Sequence, residues 1–110
     1  MATGYQLVCV YLNEADQWEG QPLHSAILDF LNRSGCAGGT VLRALAGFTA
    51  GAKPTTAPRE EAEGRSPLVV QFIDRAGQVA HVLPALRRMA RNRLITLQDV
   101  QVIFPQLESV

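Results

Sequence analysis

An α+β fold is what this chain predicts, and three observations predict it. Four stretches alternate residue by residue as strands do, two carry apolar residues at helical spacing, and glycines or polar runs separate them. In chain order these read strand, helix, strand, strand, helix, strand. That is the split βαβ arrangement, in which two helices cover one face of a four-stranded antiparallel sheet.

The first strand is predicted over Tyr5–Leu12. Leu7, Cys9 and Tyr11 fall on one face, and Val8, Val10 and Leu12 on the other, as in a strand buried on both sides. Asn13–Gln21 follows as a polar connection, with Glu14, Asp16 and Glu19 around the lone Trp18. The three acids read as a solvated loop. Trp18 either covers a core edge or stacks on a ligand. Pro22 fits the first turn of a helix, where its missing N–H costs nothing. Leu23, Ala26, Ile27, Phe30 and Leu31 then make one apolar stripe, which Gly35 ends.

Gly35, Gly38 and Gly39 form a hinge into a second strand, Thr40–Phe48, apolar on both faces except for Arg43. An arginine in that setting suits a carboxylate across a subunit interface, or failing that a ligand anion. From 49 to 66 the chain loses apolar periodicity and carries Gly51, Pro54, Pro58 and Gly64 with charges of both signs. A connection this long inside one domain is functional or an unstructured insertion. Pro67–Asp74 reads as the third strand, and Arg75–Gly77 as a turn. Val79, Val82, Leu83, Leu86, Met89 and Ala90 mark the second helix, which Pro84 must kink or start late. The fourth strand is placed at about Leu97–Phe104, stopped by Pro105, with a frayed tail at 105–110. Thr96 and Asp99 have capping-box spacing but precede a strand, so they are assigned to shaping a turn.

Composition bounds the function. The chain has 110 residues, which fits one domain, with 47% hydrophobic and 18% charged residues. Ten basic residues balance ten acidic ones, which argues against non-specific nucleic-acid binding. Cys9 and Cys36 make no disulfide framework, and His24 and His81 have no metal-ligand spacing. The N-terminus lacks a signal-peptide pattern, and no apolar run approaches the ~20 residues of a membrane helix, so a cytoplasmic location is expected. No nucleophile elbow, Walker loop or zinc-hydrolase helix is present, and no enzyme is expected. Arg87, Arg88, Arg91 and Arg93 crowd the end of the second helix, which suits dipole complementation or an anion contact. Finally, helices cover only one sheet face while three strands are apolar on both. The bare face predicts an oligomer with cyclic symmetry.

Several of these stretches together resemble a known family. They are Gly20-x-Pro22-Leu23, the run Gly35–Phe48 (Gly-Cys-Ala-Gly-Gly-Thr-Val-Leu-Arg-Ala-Leu-Ala-Gly-Phe), Pro67–Val70 and Leu94–Val100 (Leu-Ile-Thr-Leu-Gln-Asp-Val). The chain resembles the PII-like superfamily, and more narrowly the uncharacterised domain-of-unknown-function family 190, over about Tyr5–Ile103. The resemblance implies a homotrimer of ferredoxin-like subunits with sheets packed inward. It implies a small effector, such as an adenine nucleotide, between subunits. It also implies a T-loop-like segment that reaches a partner, a membrane transporter among those relatives regulate. Carried onto this chain, the effector residues are Arg43, Gly47 and Phe48 at the loop base, with Arg91 and Arg93 from a neighbouring cleft wall. The partner-facing residues are Lys53, Thr55, Thr56, Arg59, Glu60 and Glu61. The segment departs from PII proteins in lacking a tyrosine to modify, and Arg91–Ile95 has arginines where PII proteins have a glycine-rich phosphate loop. The alternative is a purely structural trimer related to the divalent-ion tolerance proteins, without nucleotide binding.

Overall fold

The computed structural model describes residues 2–49 and 65–104. Lys53, Thr55, Thr56, Arg59, Glu60, Glu61 and the 105–110 tail lie outside them. Among the described residues, eight elements follow in order: β1 (Ala2–Asn13), β2 (Gln17–Trp18), β3 (Gln21–Pro22), α1 (Leu23–Arg33), β4 (Thr40–Arg43), β5 (Pro67–Arg75), α2 (Ala76–Met89) and β6 (Leu94–Val102). The four long strands form one sheet in the order β4-β5-β1-β6, every neighbouring pair antiparallel. With two helices on one face, this is the predicted ferredoxin-like fold.

Register decides which side chains meet the helices, because residues directly paired across strands share a face. Val8 pairs with Phe72, and Val10 with Val70. With Leu12 and Leu68 these point to the helices and are buried. Leu23, Ile27 and Leu31 of α1 and Val79, Val82 and Leu86 of α2 close the same core. The opposite face carries Leu7, Cys9, Tyr11, Val69, Ile73, Leu42, Leu94 and Val100, and Leu42, Ile73 and Leu94 are exposed. The bare apolar face deduced from the alternation is therefore present in the chain.

Helix α1 ends in a Schellman motif. Gly35 N–H donates to the Asn32 carbonyl (3.2 Å) and Cys36 N–H to that of Leu31 (3.0 Å), with Gly35 at φ +85°. Pro22 is the residue before α1 rather than within its first turn, and it closes a small hairpin, β2–β3, turned by Glu19 and Gly20 at φ +49° and +82°. Two consecutive positive φ values are what a two-residue hairpin of strand-matching twist requires. The Asn13–Gln21 connection is thus ordered, and its Trp18 packs on the core.

Other boundaries also move. The second strand stops at Arg43, not Phe48, because its partner β5 begins only at Pro67. Ala44 N–H still reaches the Pro67 carbonyl (2.9 Å), and beyond it Leu45 and Phe48 stand in solvent, 92% and 72% exposed. The fourth strand starts at Leu94 and ends at Val102, since β1 offers partners as far as Tyr11. Thr96 and Asp99 therefore lie inside β6 and shape no turn; Asp99 accepts from Gln6 Nε2 at 3.3 Å. There is no turn at Arg75–Gly77, as Arg75 ends β5 and directly precedes α2. Pro84 does not delay α2, which runs through it from Ala76. The carbonyl of Ala80, on an exposed residue, is the one left without its helical donor.

Ile27 is fully buried between α1 and the sheet. Ile27→Ala is expected to lower unfolding free energy by about 2–5 kcal/mol, read from the urea midpoint at unchanged slope.

Candidate functional site at the loop-bearing end of the sheet

The chain leaves the described sheet after Thr49 and returns at Arg65, so both ends of the intervening segment sit beside the β1–β2 connection. That connection is fastened by a dense polar network. Asn13 is 6% exposed. Its side-chain amide donates to the Arg65 carbonyl (2.9 Å), while its Oδ1 accepts from Ala15 N–H (2.9 Å). Glu14 N–H donates to the Ser66 carbonyl at 2.8 Å. Asp16 Oδ2 accepts from Asn13 N–H (2.8 Å), and the Asp16 carbonyl accepts from Leu23 N–H (2.8 Å), tying the turn to the start of α1.

Two arginines dock on this turn. Arg43 Nη1 donates to Glu14 Oε1 at 2.5 Å, and Arg93 Nη2 donates to Asp16 Oδ1. The Glu14 and Asp16 side chains are therefore not merely solvated, as the sequence led us to expect. Nor is a carboxylate from another subunit needed to explain Arg43, whose partner lies in its own chain. The hydrogen bond it donates to Glu14 holds the Arg43 guanidinium above its ordinary range, against a smaller opposing effect of burial, with charge attraction adding to it. Because this pair is partly exposed, its net contribution to stability is small, on the order of 0.2–1 kcal/mol.

Beside the network lies a cavity of about 420 Å³, lined by Gly47, Phe48 and Thr49 on one side and Arg93 and Leu94 on the other, with Tyr11 and Val69 as its floor. It opens at the end of the bare sheet face, since Tyr11 pairs with both Val69 and Leu94. Gly47 has φ +149°, which favours glycine, and a Cβ there would lie 3.8 Å from Pro67 Cγ. The Thr49 hydroxyl is buried without a hydrogen-bond partner among the described residues.

The structure brings together three of the five carried-over effector residues: Gly47, Phe48 and Arg93 line one cavity within one chain. Arg43 does not join them. By register it faces the helix side with Leu68, whereas the cavity opens on the other side. Arg91 lines a different depression, between α2 and β6. The sequence reading missed Asn13, Asp16, Thr49 and Tyr11. The Asn13-x-x-Asp16 spacing was the one available signal, since such side chains close turns on their own backbone.

Asn13→Ala would remove the side-chain hydrogen bonds to the Arg65 carbonyl and from the Ala15 N–H. It is expected to cost about 1–3 kcal/mol, against under about 1 kcal/mol for Glu14→Gln, both measured by chemical denaturation.

Comparison with known proteins places the chain. It is 29% identical over 99 residues to a UPF0166 protein of Aquifex aeolicus (strain VF5), covering 90% of this chain and 93% of that one. It is 27% identical over 99 residues to the UPF0166 protein MJ1524 of Methanocaldococcus jannaschii, covering 88% and 90%. Among solved structures, the de novo designed protein Foldit4 superposes with a TM-score of 0.45 at 10% identity, over 90% of this chain and 97% of its own. The model of family DUF190, described as Uncharacterized ACR, matches residues 5–102, so the chain belongs to this PII-like family.

Proposed function

We propose that this protein is a PII-like regulatory subunit rather than an enzyme. In this reading it is a homotrimer that binds a small anionic effector, with an adenine nucleotide the first candidate, where its chains meet. Segment 49–66 is then presented to a partner, a membrane transporter among the kinds a PII-like loop would serve. One observation carries the reading. The cavity of Gly47, Phe48, Thr49 and Arg93 lies where that segment departs and opens onto the apolar face that a second chain would cover. A ligand held there touches the base of the segment directly. Phe48 offers a ring to stack on a base, and Arg93 a positive charge.

Covering the face is a physical necessity of the same scheme. Leu42, Ile73 and Leu94 lie on one side of a sheet whose other side is already packed, and burying them between copies removes apolar area from water at about 25 cal/mol per Å². No helix among the described residues is long and apolar enough to cross a membrane, so contact with a transporter would run through the segment carrying Lys53, Thr55, Thr56, Arg59, Glu60 and Glu61.

Light scattering should return three times the 12.0 kDa chain mass; a single-chain particle would remove the shared clefts. An adenine nucleotide at about 100 times its dissociation constant should add about 2.7 kcal/mol of stability. Phe48→Ala should weaken that response, and nucleotide should slow tryptic cleavage after Arg59. A trimer indifferent to every nucleotide would instead be the structural trimer akin to the divalent-ion tolerance proteins.

A further inference from the structure

We propose a second binding site, separate from the Phe48 cavity, in the trough between α2 and β6: a seat for a small organic phosphate, its phosphate gripped by Arg87 and Arg91 and its apolar group lying on Leu83, Ile95 and Leu97. The trough is an open depression of about 610 Å³, roomy enough for a small ligand.

Its origin is geometric. Helix α2 packs over β1 and β5, and β6 is an edge strand. Leu97 pairs with Val8 and so points to the helix side. Val8 is 0% exposed and Leu97 is 44% exposed. The helix layer thus stops short of the last strand and leaves an apolar floor open.

The rim is basic. Arg87 lies in the last turn of α2 and Arg91 in the turn just past its end, and both line the trough. Among the described residues neither has a salt-bridge partner, unlike Arg33, Arg43 and Arg93. No carboxylate is among the residues lining the trough. The turn that closes it depends on Asn92 at φ +63° and on Arg93 N–H donating to the Ala90 carbonyl (3.1 Å). The carbonyl end of α2 repels anions, so a ligand needs both guanidinium groups to outweigh it. Two planar forks lining one trough match a phosphate dianion better than a lone carboxylate. The open apolar floor is what inorganic phosphate alone would leave unused.

The test is titration of the full-length protein by calorimetry with phenyl phosphate and with inorganic phosphate. Phenyl phosphate should bind, and inorganic phosphate about tenfold more weakly, since it forgoes the floor. The double variant Arg87→Gln/Arg91→Gln should weaken phenyl phosphate at least about tenfold. Arg87→Lys/Arg91→Lys should recover part of that loss, and Leu97→Ser should weaken phenyl phosphate but not inorganic phosphate. The double glutamine variant should leave the adenine-nucleotide response of the Phe48 cavity unchanged, since neither Arg87 nor Arg91 lines that cavity, so either site can fail without the other. Unaltered phenyl phosphate affinity in the double glutamine variant would overturn the proposal, as would absence of binding by either probe. Sedimentation with phosphatidylglycerol vesicles, unaccompanied by soluble phosphate binding, would also overturn it, because the arginines would then be reading a lipid headgroup.

Discussion

The turn at Asn13–Asp16 is the constraint on which the working end of this protein depends. Four residues hold the end of β1, the start of α1, the returning chain at Arg65 and Ser66, Arg43 of β4 and Arg93 of the turn before β6. Asn13 is buried, so its amide must be satisfied locally, and it satisfies backbone groups that would otherwise be stranded. Such a network tolerates few alternatives. It fixes where segment 49–66 leaves and re-enters the fold, whatever that segment does between.

The same arrangement sorts the arginines by role. Arg43 and Arg93 are anchored by carboxylates from one short connection, and Arg93 also borders both depressions at this end of the sheet. Arg87, at the end of α2, and Arg91, just past it, are held by no such partner among the described residues. Four arginines within seven residues look uniform in the sequence. In space Arg93 is tied to the loop base while Arg87 and Arg91 line a groove that Arg88 does not, a difference that spacing along the chain does not encode.

The sheet supplies the second organising fact. One side is sealed by the helices and the other keeps apolar side chains in solvent, an unstable division for a chain acting alone. Membership of a PII-like family fits that division, because the cavity at the base of the segment opens toward the bare side. Regulation by a ligand at this place would need no long pathway through the core. Gly47 and Phe48, which line the cavity, are the last residues before the segment begins.

The chain's own alternation and helical stripes determined the element order, the ferredoxin-like class, the core of Val8, Val10, Ile27, Leu31, Val70 and Val82, and the apolar second face. These follow from local periodicity, which a sequence carries directly. The family was likewise legible in Gly35–Phe48 and Leu94–Val100. Pairing decided the rest. Strand two ends at Arg43 because β5 begins opposite it, and strand four begins at Leu94 because β1 extends that far. Whether Glu14 and Asp16 meet water or arginine depends on residues 29 and 77 positions away. Distances that long are set only when the sheet closes, so the anchors of the site belong to the tertiary structure alone.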